Sequence, residues 1–213
     1  TTPPIVEILS PVNNAIFIYT PITVIGRVED RIDTHPAVTV NGQSVPVVSG
    51  GFSIDSIGLN LGNNTITATA TDLAKNTSTD TITVIFDNTP PITPEIITDE
   101  YSNSLTKLSA LWHSQDPESG IREYQYAIGT TEDRTDVVDW ISTTNTEATC
   151  SNLNLIEGQR YYFIVKAING AGLESISSSQ PITATEPISI SITSPQNNSL
   201  ITENEYPLTG TAT

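Results

Sequence analysis

The side chains in this sequence whose types and spacing could do chemistry are carboxylates and carboxamides gathered in turns. Asp72 and Asn76 bracket the segment Asp72-Leu73-Ala74-Lys75-Asn76, Asp87 and Asn88 precede Thr89-Pro90-Pro91, and Asp116 and Glu118 open Asp116-Pro117-Glu118-Ser119-Gly120. Calcium takes about six to eight oxygen ligands, and loops rich in Asp and Asn supply them. Asp72, Asn76, Asp87, Asp116 and Glu118 are therefore the candidate calcium ligands. An ion at Asp87 would stiffen a joint between the segments on either side of the proline run. None of these stretches reproduces an EF-hand loop, and Asp and Asn cap turns through their own side chains with no ion at all.

Covalent catalysis needs a nucleophile, a base and a group that orients the base. The chain has two histidines, His35 and His113, and neither has a second His or a Cys at metal-ligand spacing. His35 stands before Pro36 in a loop, and His113 follows Trp112 on a strand with outward parity. The single cysteine, Cys150, excludes an intrachain disulfide and reads as a small buried hydrophobe. No glycine-rich loop leads from a strand into a helix, as a phosphate cradle requires. Trp140, in Val137-Val138-Asp139-Trp140-Ile141, is the candidate binding residue: it is either a stacking platform for a glycan or protein ligand, or a cover for a sheet edge. No catalytic constellation emerges, and the chain reads as a non-enzyme.

The elements that would hold these residues are strands. Thr, Ser and Asn crowd every segment, only 15% of residues are charged, and no window carries a period-3.6 apolar stripe. β-Branched side chains fit a pleated surface better than a helix. Lys and Arg number 8 against 24 Asp and Glu, a net charge of −16 that repels nucleic acid and anionic lipid. No apolar run approaches the length of a membrane span. The absence of Met suggests a piece of a longer chain. Proline clusters at Pro3-Pro4, Pro90-Pro91 and Pro187 divide the chain into 3–90, 91–186 and 187–213, because proline stiffens linkers and cannot donate to a ladder. In the first division about seven short alternating strands are expected, as in a β-sandwich, with Asn41-Gly42 as a type I′ hairpin turn.

The residues of 4–88 resemble bacterial immunoglobulin-like repeats. The resemblance rests on Val38-x-Val40-Asn41-Gly42, Gly51-Phe52-Ser53, Leu59-x-Leu61-Gly62-x-Asn64-Thr65-Ile66 and Ala70-Thr71-Asp72-x-Ala74-x-Asn76. The second division resembles a fibronectin type III domain. It has Trp112 on its second strand and Tyr124-Gln125-Tyr126-Ala127-Ile128 as its third. Leu155-x-x-Gly158-x-x-Tyr161 matches that family's tyrosine corner, and Asn169-Gly170-Ala171-Gly172 follows the next strand. The resemblance implies tandem all-β sandwiches of the kind found in large secreted and surface proteins and in extensions of secreted polysaccharide-degrading enzymes.

The end of the chain repeats its beginning at a constant offset of 184, with Ile192-Thr193-Ser194-Pro195-Gln196-Asn197-Asn198 against Ile8-Leu9-Ser10-Pro11-Val12-Asn13-Asn14. Residues 187–213 are thus expected to be the first two strands of a further immunoglobulin-like repeat. Their apolar residues (Ile190, Ile192, Leu200, Ile201, Leu208) then need a cover, and self-assembly by strand exchange is one source of it. The expected function is a non-catalytic spacer in an extracellular or cell-surface prokaryotic protein, or part of an extracellular fibre. An adhesin or carbohydrate-binding module, and an accessory segment of a glycan-degrading enzyme, are the alternatives. Expected partners are neighbouring modules, with a glycan or protein ligand in the alternatives, and neither nucleic acid nor an inserted membrane segment.

Overall fold

The computed structural model describes residues 2–33, 35–187, 190–194 and 209–212. Among these the chain is all-β, and no helix is long and apolar enough to cross a membrane. Packing divides it into two compact units. One comprises Thr1–Pro94, Ser114–Tyr124 and Lys166–Ile176, and the other Glu95–His113, Gln125–Val165 and Ser177–Thr213.

In the first unit the strands are β1 (Ile5–Ser10), β2 (Ile16–Phe17), β3 (Ile22–Glu29), β4 (Ala37–Val40), β5 (Gln43–Val45), β6 (Val47–Val48), β7 (Gly51–Ile57), β8 (Gly62–Thr71) and β9 (Thr77–Phe86). They form two sheets, in the orders β1-β3-β7-β6 and β2-β9-β8-β4-β5. Alternation fills the core between them. Ile22, Val24 and Val28 of β3 turn inward against Val38, Val40, Ile66, Ala68, Ala70 and Val84, while the intervening residues stay in solvent. The expected hairpin is present, with Asn41 at φ 47° and Gly42 at φ 79°, both in the left-handed region that a type I′ turn demands.

Two local features differ from the sequence expectation. A continuous return strand after Asn41-Gly42 is broken at Pro46, so that β5 pairs with β4 and β6 pairs with β7. Proline has no N–H to give the ladder, and the chain changes sheets there. The strand β2 was not legible as one, since it is two residues long and pairs in parallel with β9 (Ile16 opposite Ile85, Phe17 opposite Phe86). Asn13 makes that pairing local by accepting from the Thr83 N–H through Oδ1 at 2.8 Å, while the Asn14 N–H donates to the Thr83 carbonyl at 2.7 Å.

The remaining strands are β10 (Glu95–Ile97), β11 (Lys107–His113), β12 (Ile121–Gly129), β13 (Val138–Thr143), β14 (Glu147–Ser151), β15 (Arg160–Asn169), β16 (Glu174–Ser178), β17 (Ile182–Thr183), β18 (Ile190–Ser194) and β19 (Thr209–Ala212). One sheet has the order β10-β11-β14 and another β13-β12-β15-β16, with β17 on β15. In the second unit the buried side chains include Leu108, Ala110, Trp112, Ala127, Cys150, Phe163 and Val165. Rings of Trp112 and Tyr126 lie 5.5 Å apart, and those of Tyr126 and Phe163 6.3 Å apart. The tyrosine corner is formed: Tyr161 Oη accepts the Ile156 N–H at 2.9 Å. Cys150 is buried, and burial pushes its thiol up from the ordinary range.

The strands β18 and β19 form a two-stranded antiparallel sheet. Leu200, Ile201 and Leu208 lie outside the described residues, as do the side chains of Ile190 and Ile192.

A buried carboxylate cluster at the end of β9

Asp87 follows the last residue of β9, and its backbone N–H is held by the Phe17 carbonyl at 2.9 Å. That bond continues the β2–β9 pairing one residue beyond β9 and carries the Asp87 side chain into the interior, where it is 0% exposed. Burying a charge is costly unless donors replace its water. Here they do. Asp87 Oδ1 accepts from the Thr89 N–H at 3.1 Å and from Thr89 Oγ1 at 3.3 Å. Asp87 Oδ2 accepts from the Ser119 hydroxyl and from Asn169 Nδ2, the latter at 2.8 Å.

No local pattern joins Asp87 with Asp116, yet the fold places them in one cluster. One carboxylate oxygen from each of Asp87, Asp116 and Glu118 lies within 4.8 Å of the others. Asp116 is buried because its Oδ1 organises its own turn, accepting the Ser119 N–H at 2.9 Å and the Gly120 N–H at 3.2 Å. Gly120 sits at φ 72° in that turn, where L side chains are strained. Glu118, half-buried, accepts from Thr89 Oγ1 at 3.4 Å.

Asn169 is the residue that sequence reading passed over, taking it only as part of a turn. It ends β15, is 0% exposed, and directs Nδ2 at Asp87 Oδ2, at the Thr89 carbonyl (3.0 Å) and at Asp116 Oδ2 (3.0 Å). Its own Oδ1 accepts the Leu173 N–H at 2.8 Å, which fixes the orientation of the amide. The signal was present in parity, since Phe163, Val165, Ala167 and Asn169 share the inward face of β15 and only the last is polar. Gly170 is required beside it, because a Cβ there would stand 2.9 Å from the Ser119 carbonyl oxygen.

The donor set is oxygen only, the type that a hard cation prefers. However, both Asp87 oxygens carry two hydrogen-bond donors each, and Asp116 Oδ1 carries three, so an ion would have to displace Asn169 or Ser119 to gain them. Among the described residues, none of the three carboxylates is in an ion pair with Lys, Arg or His. The cluster is a network of neutral donors around two buried carboxyl groups and a half-buried one.

The other expected sites fall elsewhere. Asp72 accepts the Asn76 N–H at 2.8 Å and Asn76 Nδ2 at 2.7 Å, so the pair closes its own turn. That amide, and then the N–H, hold the Asp72 carboxyl below the usual carboxylate range. Trp140 is 37% exposed on β13, the edge strand of its sheet. His35 and His113 are both exposed, far apart in sequence and on different units.

These sheets and the corner define an immunoglobulin-like β-sandwich followed by a fibronectin type III-like one. Residues 4–88 match the family model for glucodextranase, domain B. No curated protein matches the chain. Similar solved structures include the fibronectin(III)-like modules of Clostridium thermocellum CbhA, 14% identical over 85% of this chain and 95% of that one, with a TM-score of 0.39. The FN1–FN3 domains of chicken CNTN1 are 13% identical over 90% of this chain and 71% of that one, at a TM-score of 0.39. A tetra-tandem repeat in the extending region of a large adhesion protein is 17% identical over 92% of this chain and 53% of that one, at 0.36. At these scores the architecture rests on the strand pairings of the chain itself.

Proposed function

We propose that the chain is a non-catalytic structural segment of a large secreted or cell-surface prokaryotic protein, with modules at 3–90, 91–186 and 187–213 that space or project other domains. The observation that carries this reading is the Asp87 cluster. Asp87, the residue after the last strand before the proline run, is fastened by side-chain hydrogen bonds to Ser119 and Asn169, 32 and 82 positions away in sequence. A linker left free would need none of this, since a fully satisfied buried polar network rigidifies what it joins. The cluster thus makes the joint after β9 stiff, and the net charge of −16 keeps neighbouring copies apart.

Amide hydrogen exchange tests the reading. The Thr89 and Gly120 N–H groups, held by Asp87 and Asp116, should exchange slowly in the wild-type chain and faster in Asp87→Ala with Asn169→Ala. Equal exchange in both chains would remove the support for a stiffened joint. Hydrolysis of any polysaccharide by the purified chain would overturn the non-catalytic part.

A second reading is favoured by the match of residues 4–88 to glucodextranase, domain B. Under it the chain is an accessory segment of a secreted glycan-degrading enzyme. Retention of the purified chain on insoluble α-glucan, released by soluble oligosaccharide, is its expected behaviour; passage through the column unretarded counts against it.

A further inference from the structure

An open groove of about 670 Å³ lies in the second unit, where the edge strand of one sheet meets the edge strand of the other. β14 ends the order β10-β11-β14, β13 begins the order β13-β12-β15-β16, and residues 147–149 and 141–143 of these strands line the groove. Its volume is that of an ordinary ligand site. Three strands here face four, so the groove stands where a fourth strand beside β14 would lie. Constant-type immunoglobulin sandwiches carry a fourth strand at that end of the sheet.

The backbone of β14 is set to receive one. The Trp112 N–H donates to the Thr146 carbonyl at 2.9 Å, which fixes the parity of the β11–β14 ladder. Bonded and unbonded pairs alternate along an antiparallel ladder. Ala110–Ala148 and Leu108–Cys150 are therefore bonded pairs, and the N–H and C=O groups of Glu147 and Thr149 point away from β11. Among the described residues β14 has no other strand as neighbour. Such an edge templates an incoming strand, and β14 has neither the lysine nor the proline that would blunt it.

The lining selects the side chains of that strand. Its charged residues are Asp99 and Glu147, and no described Lys, Arg or His joins them. Ile97, Leu111 and Glu147 form one row across the sheet, with Ile97 58% and Leu111 49% exposed. Ile141, 42% exposed, stands on the β13 side. Aliphatic surface ending in carboxylates suits the stem and head of Lys or Arg. A glycan would need a free ring to stack on, and the one ring in the lining, Tyr126, is already packed with Trp112 and Phe163. A second copy is repelled, since each chain carries a net charge of −16. We propose that this groove docks an extended, Lys- or Arg-bearing segment of a basic partner protein. The segment adds as a strand to β14, with a cation opposite Glu147 and an aliphatic residue turned inward toward Ile141. This goes beyond a spacer role, since a spacer needs no such edge.

The probe is a labelled, end-capped peptide of alternating lysine and valine, about seven residues long so that it overreaches β14 at both ends. It is titrated against the 213-residue chain by fluorescence anisotropy at physiological salt, and saturable binding is expected. Thr149→Pro removes the outward N–H without touching the bonds to β11 or the net charge, and should weaken binding about tenfold. Thr149→Val, which keeps that N–H, should bind as wild type. Glu147→Lys should abolish binding, whereas Asp55→Lys, the same charge change on an exposed residue of the first unit, should alter it less than about twofold. Binding indifferent to Thr149→Pro, or weakened equally by the two lysine variants, is general attraction to an acidic chain and overturns the proposal. Absence of saturable binding overturns it as well, as does equal affinity for a peptide with glutamate in place of lysine. A wild-type dimer in sedimentation velocity that Thr149→Pro abolishes would give the groove to a second copy and overturn the basic partner. Amide exchange at Glu147 and Thr149 of the wild-type chain reads the edge without any variant: the peptide should slow it, and unchanged rates refute strand addition.

Discussion

Asn169 Nδ2 donates to Asp87 Oδ2 at 2.8 Å across 82 residues of sequence, and both side chains are wholly buried. The amide has two hydrogens but three acceptors within 3.0 Å, so every one of its protons is engaged by the cluster. Removing it by Asn169→Ala leaves buried oxygens short of donors, which costs about 3 kcal/mol. Asn169→Asp should cost more, since it adds a fourth carboxylate in place of the donor. Urea unfolding followed by tryptophan fluorescence measures both, and midpoints equal to wild type would refute the assigned role.

Calcium should change little at this cluster. Because Asp87 and Asp116 already take protein donors on most of their lone pairs, neither millimolar calcium nor a chelator is expected to move the melting temperature by more than about 1 °C. A rise of several degrees with calcium, lost in Glu118→Gln, would mean that the ion displaces the Asn169 amide.

The hydroxyl of Tyr161 holds the Ile156 N–H at 2.9 Å and thereby pins the turn that precedes β15. Tyr161→Phe keeps the buried ring and deletes only that bond, so a loss of about 1 kcal/mol is expected. Amide exchange at Ile156 gives a local readout: it should speed up in the variant while exchange in β3 stays as it was.

Acid should weaken the fold in a defined range. Asp72 is held low by the Asn76 side-chain amide first and its N–H second, and Asp136 by the Thr130 N–H and then its hydroxyl. Both folded values lie below the unfolded one, so their stabilisation is complete above the ordinary carboxylate range, near pH 4, and is lost as pH falls through the folded values. The melting temperature is expected to be flat from about pH 7 to 5 and to fall below about 4. In Asp72→Asn with Asp136→Asn the deficit relative to wild type should shrink as the pH drops; a constant deficit would show that these carboxylates do not carry the acid response.

The Cys150 thiol offers a probe of opening. Burial raises it above the ordinary thiol range, which keeps thiolate scarce at neutral pH. Aromatic disulfide reagents should therefore modify it only as fast as the second unit unfolds, and rapid stoichiometric labelling of the native chain would contradict its placement.

Much of this molecule was legible from local pattern. Alternation gave the strands, since a two-residue period dictates which face of β3 or β11 is buried. Asn41-Gly42 specified its turn because only residues tolerant of positive φ fit it, and Leu155-x-x-Gly158-x-x-Tyr161 specified the corner. The offset of 184 between Ile8 and Ile192 foretold a second hairpin, and the pairing of β18 with β19 keeps that register.

What the tertiary structure alone decided is who meets whom. Asp87, Asp116 and Glu118 read as separate turn residues, and Asn169 as a loop residue, because nothing in a local period encodes a contact spanning 53 or 82 residues. Only when β9 and β15 end side by side do their inward polar residues face one interior. There, without water, each buried lone pair must find a donor, and that requirement turned four scattered turn residues into one network.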